Sequence, residues 1–150
     1  MKILAWAFVA ALAVTPLVFW SITKPAPTSL SEEQRRVLVQ KIRAEFINGS
    51  VLYNLGPADE PIPVAFEVTD AVNAAETWCI DRAVGVNIND RMAAQHWRRF
   101  TRETIPHEVA HMLLCRLGRP DWNQHGIEWA TIVREQGAVP KPYHNYEVPQ

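Results

Sequence analysis

The chain has 150 residues, 48% hydrophobic and 21% charged, a composition typical of one globular domain with a modest core. Its formal net charge of -1 is not the strong positive charge of a nucleic-acid binder, which disfavours nucleic acid as a partner. The two cysteines, Cys79 and Cys115, exclude a four-cysteine zinc ribbon and a disulfide-stapled scaffold. Two buried thiols are the simpler interpretation, and a disulfide requires a domain outside the cytoplasm.

The N-terminal segment predicts a membrane anchor. Residues 3–22 carry no charge and are long enough to span a bilayer as a helix, with Trp6 and Trp20 near the two headgroup regions. A secretory signal has a shorter apolar core, so we expect an uncleaved transmembrane anchor over residues 1–23, with cleavage and secretion as the alternative. A short N-terminus usually stays inside, which predicts a single-pass membrane protein with its domain outside the cytoplasm.

A linker and a long helix are predicted next. Residues 24–29 contain two prolines and small polar residues and indicate an extended linker to a domain over residues 30–150. Ser29 or Ser31 can cap a helix of about 15 residues, whose apolar residues recur at helical spacing and which ends near Gly49.

Two further segments predict strands. Residues 64–69 alternate between apolar and polar side chains, and residues 78–89 are rich in β-branched and aromatic residues. Within the second segment we expect one or two strands, with Gly85 at a bend or bulge. Asp90 is predicted to cap the helix that follows. Strands followed by helices favour an α+β fold with a small β-sheet.

The sequence HEVAH (107–111), which contains His107, Glu108 and His111, fits the pattern H-E-x-x-H. Histidines four residues apart lie on one face of a helix and can bind one metal ion, while the glutamate can reach a water bound to that ion. Apolar neighbours place this helix in the core and Gly118 ends it. A structural, hydrogen-bonded histidine pair is the alternative interpretation.

A catalytic zinc usually takes three protein ligands and leaves a fourth position for water. His125 follows the motif and begins a segment with helical spacing that ends at Gly137, so a second helix can return it to the metal. Glu128 competes with it as the third ligand, because zinc also binds carboxylates. We favour His125 as the ligand and expect Glu128 to orient a ligand.

These motifs resemble those of the SprT-like family, the Spartan-type zinc metalloproteases. The resemblance covers roughly residues 30–148 and is carried by IPHEVAH (105–111), HGIEW (125–129), VNIND (86–90) and PYHNYEV (142–148). H-G-x-E-W is much more particular to this family than HExxH. The resemblance implies a zincin-like fold, in which a small β-sheet packs on the HExxH helix and flanking helices, here preceded by one N-terminal membrane helix. It also implies that His107, His111 and His125 bind Zn²⁺ and that Glu108 is the catalytic base.

The expected function is that of a membrane-associated zinc metallopeptidase. It would hydrolyse protein or peptide substrates with a zinc-activated water and would contact the membrane through residues 3–22. Tyr143, His144 and Tyr146 are candidates to donate a hydrogen bond to the oxyanion. The alternatives are a catalytically silent, zinc-stabilised membrane-tethered interaction module and an intracellular protease acting on DNA-bound proteins.

Overall fold

The computed structural model describes residues 27–56, 61–69 and 71–146. Its helices are α1 (Glu32–Leu52), α2 (Asp90–Gln95), α3 (Trp97–Arg99), α4 (Ile105–Arg116) and α5 (Ile127–Glu135), with a π-helical turn over Phe100–Thr104. Its strands are β1 (Val64–Glu67), β2 (Ala75–Ile80) and β3 (Ala83–Asn89). The architecture is therefore α+β, with a small sheet and packed helices.

The three strands form one sheet in the order β1-β3-β2, with β1 parallel and β2 antiparallel to β3. Asp81 and Arg82 make the β2–β3 turn, both with positive φ, as in the two-residue turns that match strand twist. Gly85 pairs with Trp78, and a Cβ at residue 85 would lie 2.2 Å from the indole. The predicted bend or bulge at Gly85 is wrong, because this glycine makes room for the indole within a continuous ladder.

Helix α1 begins with a capping box. The Ser31 hydroxyl accepts from the Gln34 amide, and the Gln34 side chain accepts from the Ser31 amide, which confirms Ser31 as the cap. The helix continues past Gly49, its predicted end, to Leu52. A Cβ at Gly49 would lie 2.3 Å from Leu113, so this glycine allows α1 to approach α4 closely instead of ending the helix.

Helix α4 forms the centre of the core, because it contacts α1, α5 and strands β2 and β3. Every residue from Ile105 to Cys115 is buried. A helix that is buried on all sides needs packing partners on all sides, and the sheet and the other helices supply them. Large, fully buried side chains on the other elements include Leu38, Ile42, Phe46, Val86, Ile88 and Trp129. The HExxH motif therefore lies on a helix that is buried on nearly all sides.

Helix α4 continues directly from the π-helical turn, whose bond runs from the Ile105 amide to the Phe100 carbonyl. A proline inside a helix has no N–H and clashes with the preceding turn. The wider turn before Pro106 is the kind of irregularity that accommodates a proline. Pro106 therefore lies within a longer helical segment that begins at Trp97 and continues through the π-helical turn into α4.

Asn89, and not Asp90, caps α2, because its side chain accepts from the Met92 amide. Asp90 is fully buried, where it accepts from the Leu30 amide and forms a 3.1 Å ion pair with Arg35. The predicted capping residue instead ties the start of α1 to the end of β3.

The fold-class prediction is wrong in its membrane helix. In the part of the chain that the structure describes, no helix is both long and apolar enough to cross a bilayer. The residues from which the anchor was predicted, 1–23, lie outside the described part. The predicted localisation, a single-pass membrane protein with an extracytoplasmic domain, is corrected on the same finding.

Cys79 and Cys115 form a disulfide with a Cα–Cα distance of 6.1 Å. The interpretation as two buried free thiols is therefore wrong. Strand β2 and helix α4 bring the two residues together across 36 positions of sequence, a proximity that no local pattern encodes. The disulfide links β2, one of the two edge strands of the sheet, to the helix that carries the HExxH motif.

Candidate metal centre

Three histidine side chains converge at one end of the core. The Nε2 atoms of His107 and His111 lie 3.2 Å apart, those of His111 and His125 3.3 Å, and those of His125 and His107 3.1 Å. Helix α4 supplies the first two from successive turns, and the loop just before α5 supplies His125. These three residues form a group that could hold a metal ion.

Two of the rings are oriented by backbone carbonyls. Nδ1 of His107 lies 3.2 Å from the Lys141 carbonyl, and Nδ1 of His111 lies 2.7 Å from the Trp122 carbonyl. A carbonyl can only accept, so each Nδ1 carries the proton and each Nε2 keeps a free lone pair. Lone pairs that face one another at this distance repel, and a cation between them removes the repulsion.

The nitrogen separations fit a small tetrahedral ion. Two nitrogen ligands at about 2.0–2.1 Å from a tetrahedral zinc are about 3.3–3.4 Å apart. The observed separations of 3.1 to 3.3 Å are close to that value. The donor set, three neutral imidazoles with two of them fixed by carbonyls, is also typical of ligands held ready for a metal.

Burial controls the charge of these rings. Burial, together with the neighbouring histidines, lowers the pKa of His107 to about 2. Burial likewise lowers the pKa of His111 to about 4 and the pKa of His125 below its ordinary value. The histidines are therefore neutral at pH 7, which is the form that binds metal.

Glu108 lies next to the histidines with only 5% of its surface exposed. Burial raises the pKa of this carboxyl to about 7, against the opposing effect of hydrogen bonds from Thr77. A carboxyl with a pKa near neutrality can both take and release a proton under physiological conditions. Its position beside the histidines makes it the group in the site best suited to proton transfer.

The Thr77 hydroxyl lies 2.7 Å from Oε2 of Glu108 and joins β2 to the site. Sequence reasoning missed Thr77, because a single threonine in a strand has no spacing relationship to a motif 31 residues later. The pairing arises only when the sheet packs against α4, so no signal in the sequence could have identified it.

A cavity of about 590 Å³ opens over the histidines and Glu108. It lies between the edge strand β2, helix α4, the loop before α5 and the C-terminal segment. Its lining includes Ala75, Glu76, Thr77, Trp122, Asn123, Pro142, Tyr143 and His144. The volume is within the usual range of small-molecule and ligand sites.

The C-terminal segment forms one wall of this cavity. The His144 ring lies 4.9 Å from the His107 ring, and the Tyr143 ring lies 5.9 Å from that of His125. Tyr146 lies behind them, where its ring stacks on His144 and its hydroxyl pairs with Thr104 at 2.7 Å. The structure thus brings Tyr143 and His144 to the cavity, while Tyr146 supports His144 from behind.

Within the described part of the chain, the His144 ring has unused hydrogen-bonding groups. Both ring nitrogens are buried and have no hydrogen-bond partner among the described residues. Burial lowers the pKa of His144 to about 4, so the ring is neutral at pH 7 and carries one N–H. A buried polar ring without a partner indicates a position where a bound molecule completes the hydrogen bonds.

Contacts with α3 and the π-helical turn hold the C-terminal segment in place. Arg99 donates to the Asn145 carbonyl at 3.0 Å and lies over the Tyr146 ring at 4.6 Å. Lys141 forms a 3.0 Å ion pair with Glu103. Because the Lys141 carbonyl orients His107, the same contacts also position a candidate metal ligand.

Glu128 lies outside the three-histidine group. Its carboxylate forms a 3.0 Å ion pair with Arg119, and more than half of the side chain is exposed. The orienting contacts to the histidines come instead from the Trp122 and Lys141 carbonyls. Because every residue has a backbone carbonyl, the sequence does not indicate which carbonyls accept hydrogen bonds from the histidines.

Comparison with known proteins places this site in a family. The SprT-like family matches residues 44–148 of the chain. A protein named "Protein SprT" from Pseudomonas putida (strain GB-1) is 34% identical over 64 residues, which cover 42% of this chain and 39% of that relative. The protein of the same name from Pseudomonas aeruginosa (strain UCBPP-PA14) is 33% identical over the same shares. The match thus spans well under half the length of these curated relatives, and no solved structure matches.

Proposed function

The chain belongs to the SprT-like family, which is zinc-metalloprotease-like, and on this premise we propose that it is a zinc-dependent metallopeptidase. The observation that most supports the proposal is the convergence of three Nε2 atoms within 3.3 Å beside a buried glutamate. The proposed ligands are His107, His111 and His125, and the proposed catalytic residue is Glu108.

Zinc is the proposed ion because of the donor set. Three neutral imidazoles with a fourth position open to solvent are typical of catalytic zinc sites. Other transition metals also bind imidazole, so the proposal rests on the ligand count and the tetrahedral separations together. A bound zinc ion would supply Lewis-acid chemistry, in which it polarises the scissile carbonyl and lowers the pKa of its water to about 7.

The protein's own groups would then move protons and stabilise charge. Glu108 would take a proton from the attacking water and deliver it to the leaving amine, as its pKa of about 7 permits. His144 would donate its N–H to the carbonyl oxygen as negative charge develops there, and Tyr143 is the second candidate donor. Both line the same cavity as Glu108.

The proposed substrate is a protein or peptide segment that enters the cavity over the histidines. The cavity has the volume of a typical ligand site, and polar groups that need partners line it. Only 39% of the first of these relatives matches, so the proposed substrate is argued from the site of this chain and not from the relative.

The test compares the full chain with Glu108→Gln and the control Glu67→Gln, an exposed glutamate on β1. Zinc content is measured by atomic absorption, and hydrolysis by release of fluorescence from a labelled, unfolded protein. We expect all three proteins to bind one zinc, Glu108→Gln to lose nearly all cleavage, and a chelator to stop cleavage reversibly. Zinc binding without cleavage by the unmodified chain would contradict the proposal and favour a non-catalytic module.

A further inference from the structure

Thr77 connects the sheet to the proposed catalytic residue. It is 8% exposed, and its Oγ1 lies 2.7 Å from Oε2 of Glu108 and 3.2 Å from the Glu108 backbone carbonyl. A hydroxyl carries one proton, so it donates to one of these acceptors at a time. The shorter contact is to the carboxylate, where a charged acceptor also makes the stronger bond.

Strand β2, which carries Thr77, is itself fixed by two attachments. The first is its pairing with β3, where Thr77 is opposite Val86. Cys79, two residues further on, shares the face of the strand that Thr77 occupies and is joined to Cys115 of α4. Cys115 follows Glu108 by about two helical turns, so the hydroxyl contact and the disulfide attach the same strand to the same helix at two separate points.

We infer that Thr77 is a positioning residue for Glu108, with a hydroxyl that holds Oε2 so that Oε1 takes the proton from the nucleophilic water. The inference rests on the proposed function. A glutamate side chain has several rotamers of similar energy, and a fixed partner on one oxygen selects among them. The gain for catalysis is orientation, because small misplacements of a reacting group cost large factors in rate.

A matched pair of substitutions isolates the hydroxyl. Thr77→Val keeps the shape and the strand preference and removes the donor, whereas Thr77→Ser keeps the donor and removes a methyl group. In the zinc-loaded full chain, we expect Thr77→Val to lower kcat about 10- to 100-fold, with KM changed less than about twofold. Thr77→Ser should restore kcat to within about threefold of the unmodified chain, with zinc content equal in all three proteins.

A second measurement uses metal-free protein and needs no activity. With ¹³C in the glutamate side-chain carboxyls, the Glu108 resonance is identified by its disappearance in Glu108→Gln. We expect this resonance to shift in Thr77→Val and to stay close to its original position in Thr77→Ser. Unfolding midpoints of both variants check that the fold is intact.

The outcomes separate this inference from the proposed function. If the unmodified chain cleaves and Thr77→Val cleaves equally well, or raises KM alone, the positioning role is overturned and the peptidase stands. An equal loss in Thr77→Val and Thr77→Ser, or an unmoved Glu108 resonance, overturns it as well. If the unmodified chain cleaves nothing, the peptidase fails, and a role for Thr77 in it fails too.

Discussion

The Nε2 atoms of His107 and His125 lie 3.1 Å apart, although the two residues are 18 positions apart in the chain. Helix α4 ends at Arg116, and two residues later Gly118 has a φ of +69°, the left-handed conformation that a glycine adopts at low cost. The chain then turns back, and α5 packs beside α4 through the buried Trp129, which donates from its indole to the His107 carbonyl. The third histidine is thus placed by helix packing, whereas the first two are placed by helical spacing.

Loss of His125 should therefore abolish tight metal binding, while loss of Glu128 should not. We expect His125→Ala to weaken zinc affinity by about 100-fold or more, because removal of groups that only support a ligand already costs 10- to 100-fold. Glu128→Ala, which removes a half-exposed partner of Arg119, should leave the affinity within about twofold. Competition with a chromophoric chelator measures both, and the opposite ranking would make Glu128 the ligand.

The sequence predicted the parts of this site that depend on local spacing. His107 and His111 are one helical turn apart, and apolar neighbours predict the core helix that carries them. His125 required a second motif, HGIEW, together with the expectation of three ligands. Both predictions rest on histidines, which are common metal ligands, at fixed positions within a sequence motif.

Other features could not be predicted, because they depend on how the elements pack. Contacts such as that of Thr77 with Glu108, or of the Lys141 carbonyl with His107, form between residues more than 30 positions apart. The same holds for the disulfide, whose two cysteines are 36 positions apart and, from composition alone, look like buried free thiols. The C-terminal end of α1 differs from the prediction for a related reason. A glycine commonly ends a helix, but Gly49 instead makes room for Leu113 of α4, a contact that the sequence does not show.

His144 should contribute to the rate and not to metal binding. His144→Phe keeps an aromatic ring between His107 and Tyr146 and removes the N–H proposed to stabilise the oxyanion. We expect kcat to fall about 100-fold, as for loss of one oxyanion donor, with zinc content unchanged. As a control, Tyr146→Phe breaks the hydrogen bond to Thr104 and should leave kcat within about twofold. An unchanged kcat in His144→Phe would remove this residue from the mechanism.

The metal-free protein should lose stability as the pH falls below about 6.5. In the folded state the pKa values of His107, His111 and His144 are lowered to about 2, 4 and 4 from 6.5, so below pH 6.5 the unfolded chain takes up protons that the folded chain does not. The pKa of Glu108 is raised from 4.5 to about 7, so at this residue the folded chain takes up the proton more readily than the unfolded chain. This stabilises the folded state as the pH falls, but the effect of one glutamate is smaller than that of three histidines. Stability should therefore fall by about 1–3 kcal/mol per pH unit between pH 6.5 and 5.

Urea unfolding of chelator-treated protein at pH 6.5, 5.75 and 5 measures this slope. His144→Phe removes one of the titrating rings, so its slope should be shallower than that of the unmodified chain. Identical midpoints at all three pH values would mean that the histidines are more accessible to solvent than the structure indicates.

The disulfide should stabilise the fold while leaving the metal ligands in place. The double substitution Cys79→Ala and Cys115→Ala removes a cross-link between residues 36 positions apart in the chain. We expect the free energy of unfolding to fall by about 2–4 kcal/mol. Alanine is suitable because Cys115 is buried and a serine hydroxyl there would need a partner. The three histidines lie on α4 and on the loop before α5, so zinc affinity should change less than about threefold.

Activity should respond more than metal binding does, because the disulfide fixes the strand that carries Thr77. We expect kcat of the double variant to fall toward that of Thr77→Val, and a reductant to lower the stability of the unmodified chain but not that of the variant. Urea unfolding with and without reductant, followed by zinc titration and kinetics on the same samples, makes the comparison. A double variant with full kcat would show that pairing with β3 and packing on α4 alone keep Thr77 against Glu108.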